Sequence, residues 1–203
     1  GILLGRYQSV ECPPADCLVV DGPYGARTHR GHDSGGPQIL SATGQSTRRA
    51  LSYTHWTPND VLEFLAWTRP VKGWRVCMTS HDLIPAYEEG YRKLGLYSFA
   101  PLPVYSHRPR LLGDGPCCSF FYLMVARPRT TTFLRWGCLP GEYRTSAERR
   151  APVVGAKRVS LLEQILRDYS KRGDLVLDPC CGYGSTGIAA RNMGRRFIGM
   201  EVD

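Results

Sequence analysis

Gly173-Asp174-Leu175-Val176-Leu177-Asp178-Pro179-Cys180-Cys181-Gly182-Tyr183-Gly184-Ser185-Thr186-Gly187 is the stretch on which the reading of this chain turns. Leu175–Leu177 is a short apolar run of the kind that forms a buried strand. The glycines that follow let a backbone approach a ligand closely. A helix is expected from about Thr186 to Met193, so its free N–H groups would face that ligand. The next strand, Phe197–Met200, runs into Glu201, whose carboxylate can accept two hydroxyl hydrogen bonds from a ribose.

Three ligand readings compete for this loop. Gly182-x-Gly184-x-x-Gly187 matches the dinucleotide fingerprint formally, a weak signal by itself. A phosphate-binding P-loop is excluded, because no Lys precedes Ser185-Thr186. The third is an S-adenosylmethionine (AdoMet) loop, in which an acidic residue and a Pro precede the glycines. Asp178 is awkward beside a pyrophosphate but apt for the amino group of AdoMet. The bland alternative is a Gly-rich turn with no ligand.

Working outward, strands alternate with helices through most of the chain. Upstream of the loop, a helix is expected at about Ser160–Ser170. Nearer the start, Ala15–Val20 ends in the run Cys17-Leu18-Val19-Val20 and meets a turn. Thr57-Pro58-Asn59-Asp60 opens a helix to about Thr68, with Thr57 as cap, Pro58 in the first turn and Val61, Leu62, Leu65 and Ala66 facing inward. Gly73–Thr79 reads as a strand and Leu83–Leu94 as a helix stopped by Gly95. Leu96–Tyr105 and Ser119–Val125 are strand-like. Ala26–Thr54 and Arg127–Arg158 read as irregular, and loops of that length usually serve a site. The pattern predicts an α/β fold with a mostly parallel twisted sheet flanked by helices. Ligands of such sheets bind beyond the carboxyl ends of strands. Two loops fit that position, Asp178–Gly187 and Asp21–Gly25.

The 203 residues suit one domain of ordinary size, and 42% apolar residues supply a core. No apolar run is long enough to span a membrane, and the first residues do not resemble a secretory signal. The formal net charge of +8 is concentrated: residues 107–158 hold 10 basic and 3 acidic side chains, while the flanking segments are nearly balanced. Such a segment suits a polyanion such as nucleic acid, or is a solvated basic loop. The eight cysteines form no Cys-x-x-Cys pair, so no metal site is expected, and the reduced thiols of a cytoplasmic protein are. The five histidines are scattered and none is assigned a role.

Asp21-Gly22-Pro23-Tyr24 follows a buried strand. Taken alone it is a plain turn. Its composition permits more: a carboxylate and an adjacent carbonyl can both accept hydrogen bonds from one exocyclic amino group, and Tyr24 offers a face for a base. Accepting both amino protons aims the nitrogen lone pair outward, where it can attack a methyl sulfonium. Such a base must first leave the duplex.

Together these residues resemble the amino-methylating DNA methyltransferases, in which an Asp/Asn/Ser-Pro-Pro-Tyr turn is catalytic and an Asp-Pro-Phe-x-Gly-x-Gly-Thr-type loop binds AdoMet. With the catalytic turn first and the cofactor loop last, the order looks like the circularly permuted β-class. Gly194-Arg195-Arg196-Phe197-Ile198-Gly199-Met200-Glu201 looks like the family's closing half. Thr28–Asp33 and Ser80-His81-Asp82 are similar to phage or prophage members. The resemblance implies a circularly permuted, Rossmann-like methyltransferase fold over residues 1–203. Its catalytic residues would be Asp21, Gly22, Pro23 and Tyr24. Around AdoMet it implies Asp178, Pro179, Cys180, Gly182, Gly184 and Thr186, with Glu201 on the ribose and Lys157 near the cofactor-side helix. A target-recognition region at about 107–158 would bind double-stranded DNA through Arg108, Arg110, Arg127, Arg129, Arg135, Arg144, Arg149 and Arg150.

Asp at the first catalytic position leans towards N6 of adenine, with N4 of cytosine open. The family also implies base flipping, a restriction-modification setting in a bacterial or phage-infected cell, and a homodimer, since the recognition region is small. Several positions depart from the pattern. Gly22 replaces the usual Pro, Cys180 stands for Phe, Arg158 for Pro and Arg6 for an Asp that reaches the adenine of AdoMet; the sequence closes two residues after Glu201. They motivate a second reading, a DNA-binding partner subunit with weakened transfer. A nicotinamide-dependent oxidoreductase is the third.

Overall fold

The computed structural model describes residues 1–28, 53–110, 118–131, 138–145 and 156–202, with backbone only at 107–110 and 118. Their strands are β1 (Ile2–Leu4), β2 (Cys17–Asp21), β3 (Arg75–Thr79), β4 (Tyr97–Ser98), β5 (Leu102–Arg110), β6 (Cys118–Arg127), β7 (Tyr143–Arg144), β8 (Leu175–Asp178) and β9 (Arg196–Glu201). Their α-helices are α1 (Pro58–Trp67), α2 (Ile84–Lys93), α3 (Val159–Tyr169) and α4 (Ser185–Asn192).

All these strands join one sheet in the order β1-β9-β8-β2-β3-β6-β5-β7, with β4 beside β6. From β1 to β3 every neighbour is parallel. Beyond β3 the sheet changes character, because β6 runs antiparallel to β3, β4 and β5. The sheet is therefore mixed, with its parallel half holding both glycine-bearing turns. The run expected at Leu96–Tyr105 is broken into β4 and β5. Residues 26–28, expected as loop, are helical, and residues 29–52 lie outside the described residues.

Burial explains the parallel half. The first four residues of β2 and all of β3 are buried, because helices cover both sheet faces. One layer packs α1 and α2 on Leu18, Val20, Cys77 and Met124. The other packs α3 and α4 on Cys17, Val19, Val76, Leu123 and Val176. Helix α3 presents Leu161, Leu162, Ile165, Leu166 and Tyr169 at the spacing of a single helical face.

Helix α1 starts as its sequence dictates. The Asp60 N–H donates to Thr57 Oγ1 at 3.3 Å, and the Thr57 N–H donates to Asp60 Oδ2 at 2.7 Å. Its inner face differs from expectation: Phe64 is buried, whereas Ala66 is exposed. Gly95 ends α2 at φ +68°, a left-handed conformation that suits glycine.

The end of α1 is held by a residue that periodicity does not reveal. Arg75 is 2% exposed, yet carries a guanidinium. It donates to the carbonyls of Thr68 (2.9 Å), Val71 (2.9 Å) and Gly73 (3.2 Å) and to Thr68 Oγ1 (3.2 Å). A cation there satisfies carbonyls at and beyond the helix C-terminus and ties that turn to β3. Arg75→Met leaves these buried acceptors unpaired. It should cost about 2–4 kcal/mol in a urea unfolding titration, with helix content otherwise retained.

Candidate active site

β2 and β8 are neighbours, with Cys17 opposite Val176 and Leu18 opposite Leu177. Parallel strands finish at the same sheet edge, so the two turns emerge side by side. The electrostatics record this proximity: the charges of Asp21 and Glu201 both add to the raising of the Asp178 pKa.

In the first turn, both oxygens of Asp21 are engaged. Tyr24 donates its hydroxyl to Oδ1 at 3.2 Å. Lys157 Nζ is paired with Oδ2 at 2.6 Å. The same ammonium lies 5.1 Å from the Tyr24 ring centre and 5.0 Å from that of Phe121. These two rings are 6.4 Å apart.

The turn is clamped from behind. The Trp56 N–H donates to the Tyr24 carbonyl at 3.1 Å, and the Gly25 N–H donates to Ser80 Oγ at 3.1 Å. Gly22 now has a physical account. A Cβ there would sit 2.9 Å from the Trp56 ring, so the indole fills the space that a side chain would take. Trp56 is 8% exposed and packs on Phe64 and Tyr7, so it cannot easily yield.

In the second turn, Gly182 and Gly184 have φ +48° and +77°. Both are left-handed, which favours glycine. The loop folds around two carboxylates. Asp178, 1% exposed, accepts from the Cys180 N–H at 3.1 Å and is hydrogen-bonded to Thr186. Glu201 Oε2 accepts from the Gly182 N–H at 2.6 Å. Asp178 thus organises its own loop. Burial pushes its pKa up to about 7, with the hydrogen bonds opposing. Burial also drives the Cys180 thiol well above its ordinary range, so it stands in for Phe as an apolar filler.

Lys157, expected near the cofactor-side helix, has its ammonium on Asp21 of the first turn. Trp56 and Phe121 were not singled out from the sequence. Phe121 hides in the run Ser119-Phe120-Phe121-Tyr122, where only strand alternation would distinguish it.

The arginines scatter. Arg127 is 8% exposed, lies against Trp74, Tyr97 and Phe99, and donates to the Pro128 carbonyl. It braces the sheet rather than being presented outward. Arg129 stacks on Tyr97 and Arg144 on Tyr105, where Arg144 also pairs with Glu142. Arg135, Arg149 and Arg150 lie outside the described residues, as do the side chains of Arg108 and Arg110. Among the described residues no His, Cys, Asp and Glu group could hold a metal ion, and no helix is long and apolar enough to cross a membrane.

Comparison with known proteins bears on this site. Residues 132–203 match a family model described as DNA methylase. It is in the same vein that 43 residues are 49% identical to Type II methyltransferase M2.DpnII of Streptococcus pneumoniae and 44% identical to M2.LlaDCHI of Lactococcus lactis subsp. cremoris. The aligned stretch is 21% of this chain and 16% of each relative. The whole chain superposes on M1.HpyAVI in its SAM complex, with TM-score 0.68, 18% identity and 92% of that chain covered. It also superposes on the cytosine-N4-specific PvuII DNA methyltransferase, with TM-score 0.64, 14% identity and 81% coverage. The fold is that of the AdoMet-dependent methyltransferases, as the sequence resemblance implied.

Two outcomes are expected at this site. Asp178 keeps its proton in the fold up to about pH 7 but loses it near 4 when unfolded. The unfolded chain therefore binds fewer protons between these values, and stability falls as pH rises through that window. Urea titrations should give wild type a loss of a few kcal/mol between about pH 4 and 7 relative to Asp178→Asn, which retains an acceptor for Cys180. Gly22→Ala should lower stability by about 1–3 kcal/mol, since the added methyl overpacks Trp56.

Proposed function

We propose that this chain is an AdoMet-dependent DNA methyltransferase acting on an exocyclic amino group, with adenine N6 as the favoured acceptor. The observation that carries this reading is the pairing of β2 with β8, which sets the Asp21 turn beside the Asp178–Gly184 loop. A sulfonium donor and an amine acceptor must meet within bonding reach, and neighbouring strand ends supply that closeness.

The second loop fits the donor. Asp21 and Glu201 put negative charge close enough to Asp178 to help raise its pKa, a neighbourhood that suits a cationic ligand. Side-chain-free Gly182 and Gly184 let the ligand reach the backbone. Glu201, at the end of β9 and bonded to the Gly182 N–H, is the proposed acceptor for ribose hydroxyls. Pro179, Cys180 and Thr186 shape the loop. When bound, AdoMet supplies an electrophilic methyl group whose transfer leaves the electron pair on sulfur.

The residues of the first turn handle the acceptor. Asp21 and the Gly22 carbonyl accept hydrogen bonds from the two amino N–H groups. The amine lone pair then points out of the ring system. Tyr24 stacks on the base, and Pro23 stiffens the turn. As the N–C bond forms, positive charge grows on nitrogen, and the Asp21 carboxylate stabilises it until a proton leaves. Water can take that proton, so no histidine base is required.

Double-stranded DNA is the proposed substrate, with residues 107–158 as the recognition region of a single-domain enzyme. Arg129 and Arg144 are its described candidates for phosphate contact; Arg127 shares the Tyr97 ring with Arg129. The order of the two turns along the chain agrees with a circularly permuted family member. A homodimer would supply the surface that a small recognition region lacks.

Transfer of labelled methyl from AdoMet to unmethylated bacterial genomic DNA tests the proposal. Asp21→Ala should lower transfer by at least about 100-fold while AdoMet affinity, measured by calorimetry, persists. Mass analysis of the methylated nucleosides distinguishes adenine from cytosine. Heat of binding with NAD but not AdoMet would overturn the reading.

A further inference from the structure

We infer that Lys157 holds the place of the target base: its ammonium occupies the amine position between Tyr24, Phe121 and Asp21, and an incoming base displaces it. This rests on the function proposed above and reassigns Lys157 from the donor side to the acceptor side.

Three contacts carry the inference. The ammonium gives a hydrogen bond to Asp21 Oδ2 at 2.6 Å, the same oxygen set that would receive amino protons. It is nearly equidistant from two aromatic faces, 5.1 Å from Tyr24 and 5.0 Å from Phe121. A stacked amino-purine or amino-pyrimidine needs the same combination, a nitrogen donor to a carboxylate and aromatic faces for its ring. Lys157 therefore satisfies a site shaped for another group.

It cannot stay there during transfer. Nitrogen becomes positively charged as its bond to the methyl carbon forms, and an ammonium at the same carboxylate would oppose that charge. The lysine is also free to leave. Its side chain is 19% exposed, that of Asp21 25%, and its stem is flexible. The pair is partly open to solvent rather than sealed, so a base that brings its own amino donor to Asp21 can replace the ammonium without leaving the carboxylate unpaired.

The arrangement also selects among bases. Adenine and cytosine present an amino donor that can replace the ammonium at Asp21. Thymine presents a carbonyl oxygen there, which would face a carboxylate without a proton between them. Phe121 joins Tyr24 as the second ring of the slot.

Nucleoside binding tests this without turnover. Wild type and Lys157→Met are titrated with 2′-deoxyadenosine, 2′-deoxycytidine and thymidine, and the Tyr24 ring resonances are followed by nuclear magnetic resonance. Lys157→Met should bind an amino nucleoside roughly three- to tenfold more tightly, the size of a weak ion pair. Thymidine should leave Tyr24 unmoved, and the AdoMet dissociation constant should change by less than about twofold on the scale set by that pair. Lys157→Gln, which keeps a donor without charge, should give a smaller gain in the same direction. Unchanged or weaker amino-nucleoside binding in both variants, no response of Tyr24 in any protein, or loss of AdoMet affinity would overturn the inference. If the nucleosides bind more tightly but wild type methylates no DNA, the slot stands and the methyltransferase reading falls. If DNA is methylated but nucleoside affinity is unmoved, the reverse holds.

Discussion

Everything at this site depends on one parallel pairing, β2 against β8. The two strands come from distant parts of the chain, and neither makes a site alone. Once paired, they deliver Asp21 and Asp178 to the same edge with no further adjustment, because parallel neighbours end together. Glu201 follows from the next pairing, β8 with β9. The surrounding helices keep these strands buried on both faces, which removes any freedom for the register to slip.

That pairing creates a problem of charge. Three carboxylates share a small region, and one of them is buried. The protein answers locally. Backbone N–H groups serve Asp178 and Glu201, Thr186 adds a hydroxyl, and Lys157 neutralises Asp21 from outside the sheet. Asp178 holds its proton more tightly chiefly because it is buried, and the charges of Asp21 and Glu201 add to that. A cation arriving at the loop would meet a region already biased in its favour.

Much of the scaffold was legible because it follows local rules. The Thr57–Asp60 cap, the Gly95 stop, the apolar runs of β2, β3 and β8 and the Gly182–Gly184 loop are each written within a few residues. Features that depend on distant neighbours were not. Ile2–Leu4 is too short to announce a strand and is defined only by β9. The antiparallel turn of the sheet beyond β3 leaves no mark in alternation. Arg75 lay unremarked in the expected strand and Arg127 was expected to contact DNA, yet both are buried by partners that periodicity cannot name. Gly22 looked like a loosened version of the family turn. It is instead the space into which Trp56 fits, a fact visible only when residues 22 and 56 meet. Lys157 was drawn to the cofactor by its position before α3, whereas its long side chain reaches the other turn.

The separation of the paired strands has a consequence for how the molecule is made. Val176 must find Cys17 across more than 150 intervening residues, while β3, β6 and β5 find partners much closer by. Closing so large a loop is entropically slow, and contacts of this range are characteristic of late steps in folding. On a ribosome, the antiparallel half can pair before β8 has been synthesised. The edge that carries both turns would then be the last part of the sheet to assemble, and a truncated chain would emerge with the Asp21 turn but no partner for it.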